Sequence, residues 1–163
     1  MKLHLNTQEN LNLITAYSEA YIEINKQRFG HSLIVMPELC LHDWDVKNCT
    51  EIGLSQVAKL IELHRSHKIE VLLLGTGEKQ HFLTGAPYFA LAEKGIAIEC
   101  MSTAAACRTY NVLASEGRSV VAALLVALPA AVVLLVAAGP LVLAGQVWGL
   151  GVDALSEPSV AAL

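Results

Sequence analysis

The distribution of charge divides this chain near residue 118. All eleven Lys and Arg residues lie at or before Arg118, and residues 120–152 carry no charged side chain. About half of the chain is apolar, 54% of 163 residues, and much of this apolar content lies in the uncharged run. Such a run is typical of a buried strand or of a membrane-spanning helix, so the residues on its two sides are interpreted separately.

Pro129 divides the uncharged run, because a helix accepts proline in its first turn but not in its interior. We interpret residues 119–125 as the last strand of a domain and residues 130–149 as a membrane anchor, long enough to cross a hydrocarbon core of about 30 Å. A basic residue before the anchor and only acidic residues after it favour a cytoplasmic domain. Two alternatives stay open: a soluble tail, or a reading-frame artefact with no selected role.

The charge and the cysteines restrict the partners and the compartment. Residues 1–118 carry a net charge of −2 and the remainder another −2, so a nucleic-acid partner is not expected. The N-terminus has neither the apolar stretch of a secretory signal nor an Arg-rich presequence, which predicts a cytoplasmic domain, tethered to the inner membrane if the anchor is real. The four cysteines form no CxxC pair and are expected to be reduced thiols.

Residue periodicity predicts a small α/β domain over residues 1–125, followed by an apolar extension over 126–163. Alternating residues in 11–25 predict a hairpin, 31–37 a buried strand, and 38–53 a loop. A β-α-β-α-β unit follows. Its strands are predicted at 69–77, 96–100 and 119–125, and its two helices over 86–94 and between Ser102 or Thr103 and Gly117; a further helix, from Leu54, precedes the unit. We expect a mixed sheet that the hairpin joins.

A glycine turn and one helix carry a family resemblance. The turn is GTG at 75–77, and the helical block TAAACRTYNVLASEGR spans 103–118. Together with the short apolar strand after them, they resemble the small domain-of-unknown-function family typified by the mitochondrial complex I (NADH:ubiquinone oxidoreductase) assembly factor 3 and its bacterial relatives. The resemblance covers residues 11–125. It implies a compact α/β domain with a mixed sheet and, from the mitochondrial member, a role in assembling an inner-membrane enzyme by binding partners; it supplies no catalytic residues.

The glycine turn and the helix start predict a crevice for a small anion. Carboxyl ends of parallel strands share one sheet edge, so Gly75, Thr76 and Gly77 are expected to face Ser102 and Thr103. Free N–H groups at a helix start suit phosphate or carboxylate. Positive charge would come from Arg108, Lys79 or His81. The alternative is structural: the glycines turn the chain, and Thr103 caps a helix.

Cys107 is the one residue that raises a nucleophilic alternative. It lies one helical turn after Thr103 and next to Arg108, a setting that can lower a thiol pKa. No histidine is placed to assist it, and a packed core thiol is the favoured interpretation. His64 and His67, three residues apart, lack a third metal ligand at a fixed spacing, so no metal and no cofactor are expected.

Two functions follow from these observations. The favoured one is a non-enzymatic binding or assembly module at the cytoplasmic side of a membrane, with a protein partner such as a membrane complex. The alternative is a soluble small-anion-binding protein or minor enzyme that uses the crevice between Gly75–Gly77 and Thr103. No catalytic residue is assigned in either case.

Overall fold

The computed structural model describes residues 11–126 and has an α/β fold. Its strands, in chain order, are β1 (Ile14–Tyr17), β2 (Ile22–Ile24), β3 (Gln27–Phe29), β4 (Leu33–Val35), β5 (Cys40–Leu41), β6 (Val71–Gly75), β7 (Ala97–Met101) and β8 (Val120–Leu124). Its helices are α1 (Leu54–His67), α2 (Ala86–Ala92) and α3 (Thr103–Ser115), with one 3-10 turn at Cys49–Glu51. The predicted β-α-β-α-β unit is confirmed as β6-α2-β7-α3-β8, and α1 precedes it.

The larger sheet has five strands in the order β5-β4-β8-β6-β7. Strand β6 is parallel to both β7 and β8, whereas β4 is antiparallel to β8 and to β5. The sheet is therefore mixed, as expected. Because β6 and β7 are parallel, their carboxyl ends at Gly75 and Met101 lie side by side, which brings the following loops to one edge.

Apolar side chains cover both faces of this sheet. One face packs against α1 and α2 through Val57, Leu60 and Leu91, all of which are buried. The other face packs against α3 through Ala106, Cys107, Tyr110 and Ala114. Strand β8 is buried along its whole length, which explains why its sequence is continuously apolar rather than alternating.

The N-terminal hairpin does not join the larger sheet, so that part of the prediction was wrong. Strands β1, β2 and β3 form a separate antiparallel sheet. The place beside β4 is taken by β5, which lies within the segment predicted to be a loop. The hairpin instead buries Ile22, Ile24 and Phe29 in the same apolar cluster as the inward face of α3. Its apolar side chains are therefore buried without any pairing between its strands and the larger sheet.

The anchor predicted at residues 130–149 lies outside the described residues, as does nearly all of the extension over 126–163. Within residues 11–126, none of the helices has both the length and the apolar content needed to cross a bilayer.

Candidate functional site

The structure brings the glycine turn and the start of α3 into direct contact. The Gly77 amide donates a hydrogen bond to Thr103 Oγ1 (2.9 Å), and the Thr103 amide donates to the Gly77 carbonyl (2.8 Å). The Thr103 hydroxyl in turn donates to the carbonyl of Leu125, just after β8, at 2.8 Å. Thr103 therefore joins the segments that follow β6 and β8 to the first turn of α3. We call this arrangement the strand-end junction.

Steric constraints explain why both positions 75 and 77 are glycine. A Cβ atom on Gly75 would lie 2.9 Å from Leu124 Cδ2 and 3.0 Å from Thr103 Cα, closer than side chains pack. Gly77 has a φ of +97°, in the region that only glycine adopts without strain. Glycine at 75 allows α3 to approach β6, and glycine at 77 turns the chain back toward it.

The amides expected to bind an anion are largely occupied within the protein. Ser102 is the N-cap of α3, and its hydroxyl accepts from the Ala105 amide (3.4 Å). The Gly77 amide donates to the Thr103 hydroxyl, and the Thr103 amide donates to the Gly77 carbonyl. The Thr76 amide donates to the Met101 carbonyl (2.9 Å). These bonds support the structural interpretation of the turn, and anion binding at Thr103 stays a prediction.

A cavity of about 610 Å³ opens on one side of the strand-end junction. It is lined by the turn after β1, by Gly77 and Glu78, and by the first residues of α3. Two carboxylates, Glu19 and Glu78, line it. Arg108 is turned toward Tyr17, whose phenolic oxygen accepts from Arg108 Nη1 at 2.9 Å. The acidic lining disfavours an anion on this side of the turn.

Cys107 is fully buried between α3 and the larger sheet. Burial raises the pKa of its thiol to about 12, and the neighbouring Arg108 lowers that pKa only in part. A thiol that is both inaccessible and protonated at neutral pH is a poor nucleophile. The structure therefore places Cys107 in the core, as the favoured interpretation expected, and the reactive-thiol alternative stays an untested prediction.

The histidines considered as metal ligands are not gathered into a site. His67 Nδ1 lies 3.3 Å from the Leu63 carbonyl of its own helix. Asp43, from the acidic loop before α1, pairs with Lys59 Nζ at 3.0 Å. In the part of the chain that the structure describes, no three His, Cys, Asp or Glu side chains lie close enough together to hold a metal ion.

The placements of two residues were not predicted from the sequence. Asn111 of α3 accepts from the Ile14 amide (2.9 Å) and donates to the Ile14 carbonyl (2.7 Å), so its amide side chain pairs with β1 as a neighbouring strand would. An Asn in mid-helix is a weak signal for such a role, because this residue favours caps and turns. Lys47, from the loop before the 3-10 turn, lies near the glycine turn, and nothing in its local sequence predicted that.

The family described as "Protein of unknown function (DUF498/DUF598)" matches residues 14–125. The chain belongs to this family. The match begins at the first strand of the smaller sheet and ends just past β8, and it includes the whole strand-end junction. The resemblance stated from the sequence is confirmed.

Curated relatives include two proteins named NADH dehydrogenase [ubiquinone] 1 alpha subcomplex assembly factor 3. The Xenopus tropicalis protein is 34% identical over 112 residues, which are 69% of this chain and 60% of the relative. The Danio rerio protein is 34% identical over 113 residues, which are 69% of this chain and 63% of the relative. The chain thus matches about three fifths of the length of these relatives.

Solved bacterial structures share the fold. A crystal structure of a Bordetella parapertussis protein is 43% identical with a TM-score of 0.65, and the match covers 71% of this chain and 95% of that one. A protein titled an outer membrane protein from Bartonella henselae is 31% identical with a TM-score of 0.64, and here the match covers 72% and 97%. In both cases the match takes in nearly all of the solved protein.

Proposed function

We propose that this chain is a non-enzymatic binding module that helps to assemble a membrane-bound respiratory complex, acting from the cytoplasmic side of the membrane. The observation that carries the proposal is its similarity, over 112 residues, to proteins named as assembly factors of NADH dehydrogenase. The hydrogen bonds of Thr103 give the strand-end junction a structural role, so we look for the partner surface elsewhere on the domain.

An exposed aromatic surface offers the place for a protein partner. Phe82 is 71% exposed, Phe89 61% and Tyr88 43%, and all three lie on α2 or in the loop before it. The rings of Tyr88 and Phe89 meet edge to face, with centroids 5.7 Å apart. Grouped exposed aromatic side chains are typical of protein interfaces, in which Tyr and other aromatic residues are enriched. We call these three residues the aromatic patch and assign it to a subunit or intermediate of the complex.

Affinity purification from detergent-solubilised membranes tests the partner. We expect NADH dehydrogenase subunits to co-purify with the full-length chain, and the double variant Phe82→Ser, Phe89→Ser to reduce their recovery at least about tenfold, the loss typical of removing interface anchors. Val112→Ser is the matched control, because Val112 is 57% exposed on α3, which packs against the opposite face of the larger sheet. Equal recovery with the double variant, or capture of unrelated proteins only, would contradict the assignment.

The membrane side of the proposal depends on residues 130–149, whose twenty residues carry no charge. We expect the full-length chain to float with membranes in a density gradient and to stay bound at high salt. A chain that ends after residue 128 keeps β8 and Val126, and it should remain in the supernatant. Flotation separates membrane binding from aggregation, since aggregates sediment. A full-length chain that does not float would remove the tether from the proposal.

A further inference from the structure

A second, smaller cavity adjoins the acidic one, and the two share Gly77, Glu78 and Leu125 as lining residues. Its volume is about 300 Å³, and it is lined by residues of two loops, the one before the 3-10 turn and the one between β6 and α2. Its charged and polar lining residues include Lys47, Asn48, Glu78, Lys79 and His81. We call it the basic cavity.

The loop between β6 and α2 is held in place by Thr76. The Thr76 hydroxyl accepts from the His81 amide at 2.9 Å and donates to the Lys79 carbonyl at 2.8 Å. The same residue is buried, and its amide is bonded to the Met101 carbonyl of β7. The loop backbone is thus folded over one fixed hydroxyl, and this keeps Lys79 and His81 at the same cavity.

The opposite loop is held by a different set of bonds. The Glu51 carboxylate accepts from the Lys47 amide (2.9 Å) and from Asn48 Nδ2 (2.6 Å). The Asn48 side chain also caps the 3-10 turn by accepting from the Thr50 amide (3.0 Å). Lys47 therefore projects from an ordered backbone, and the two halves of the basic cavity are both preformed. Preformed sites bind with a smaller entropic cost.

The charges in the basic cavity favour an anion. Lys47 and Lys79 contribute two positive charges, and Glu78 contributes one negative charge. Among residues 11–126, neither lysine ammonium group has a carboxylate within ion-pair distance. The space beside Gly77 is open, since a Cβ there would meet no atom within 4 Å.

We infer that the basic cavity binds the phosphate group of a small molecule. Lysines bind phosphate as point charges, and two of them from separate loops can contact one phosphate group from different sides. A volume of about 300 Å³ is at the small end of the range for ligand sites, which suits inorganic phosphate or a small phosphomonoester. This inference does not depend on the partner or the membrane tether.

Amide chemical shifts of the full-length chain, measured at constant ionic strength, test the site. Inorganic phosphate is expected to give saturable shifts at Asn48, Gly77, Lys79 and His81. Lys47→Gln and Lys79→Gln should each weaken binding about tenfold, the effect of one charge-assisted hydrogen bond. Glu78→Gln should strengthen it, because the only carboxylate among the cavity-lining residues is then neutral. A gain of affinity is a result that misfolding does not produce.

Two controls show whether phosphate binds in the basic cavity and in which form. Lys94→Gln removes a lysine that is not among the cavity-lining residues, and it should leave the affinity unchanged. Methyl phosphate, titrated in parallel, distinguishes a phosphomonoester site from a site for the free ion by which of the two binds more tightly. No saturable shift at millimolar phosphate, or unchanged affinity in both lysine variants, would overturn the inference. Shifts centred on Ser102–Ala105 would instead place the anion at the start of α3 and overturn it too.

Discussion

Replacement of Thr103 by Val is expected to lower the free energy of unfolding by about 2–4 kcal/mol, because it leaves two backbone groups without a partner. The side chains are nearly equal in size, so the change removes the hydroxyl and little else. The Gly77 amide loses its acceptor at 2.9 Å, and the buried Leu125 carbonyl loses its donor at 2.8 Å. Urea unfolding of the full chain measures the loss.

Thr103→Ser is the matched control for this measurement. Serine keeps the hydroxyl and loses only a methyl group, which costs about 1 kcal/mol when buried. We therefore expect the Ser variant to lie much closer to the unmodified protein than the Val variant does. If the Ser and Val variants are equally destabilised, the Thr103 hydroxyl does not hold the strand ends together.

The main β-α-β-α-β unit could be predicted because its signals are local. Strand β8 is a short apolar run, and α3 has a serine N-cap and a glycine, Gly117, in the left-handed region at its end. The contact between the glycine turn and Thr103 followed from a general rule, that the carboxyl ends of neighbouring parallel strands share one sheet edge. No long-range information was needed for these elements.

The rest of the fold depends on partners that are distant in the sequence. Strand β5 has only two residues and forms because β4 offers it an edge. The turn between β2 and β3 places Asn25 and Lys26 at positive φ. The usual sequence for this geometry is Asn-Gly, and because lysine stands in place of glycine here, the turn could not be predicted from the sequence. Lys47 reaches the basic cavity only because the loop before the 3-10 turn folds back toward the glycine turn. Local sequence patterns do not indicate contacts between segments that are distant in the chain.

The family pattern in α3 has physical reasons that the structure supplies. Thr103 joins strand ends, Cys107 fills the core, and Asn111 pairs with the backbone of β1. Arg118 pairs with Glu70 at 3.1 Å, beside the start of β8. These roles are all structural, and they direct the search for function to the surface of the domain.

The stability of the domain is expected to fall as the pH rises above about 9, and Cys107 is a main cause. Burial raises the pKa of its thiol from an ordinary value of 9.0 to about 12. Between these values the unfolded chain has lost the thiol proton and the folded chain still holds it, so deprotonation favours unfolding. One such group contributes a slope of about 1.4 kcal/mol per pH unit, and thus about 1.4 kcal/mol by pH 10.

Urea unfolding between pH 7 and pH 10.5, with Cys107→Ala as the comparison, measures this effect. Alanine lowers the free energy of unfolding at every pH because it leaves a cavity. Above pH 9, however, the free energy of unfolding of the variant should fall less steeply with pH, because the contribution of one titrating thiol is missing. Burial also raises the pKa of Tyr110, Cys40 and Cys49, and these contributions have the same sign and are common to both proteins. Only the difference between the two curves reports on Cys107. Parallel curves above pH 9 would show that the Cys107 thiol titrates alike in the folded and unfolded chains. That result would contradict the prediction, which rests on the complete burial of this thiol against the larger sheet.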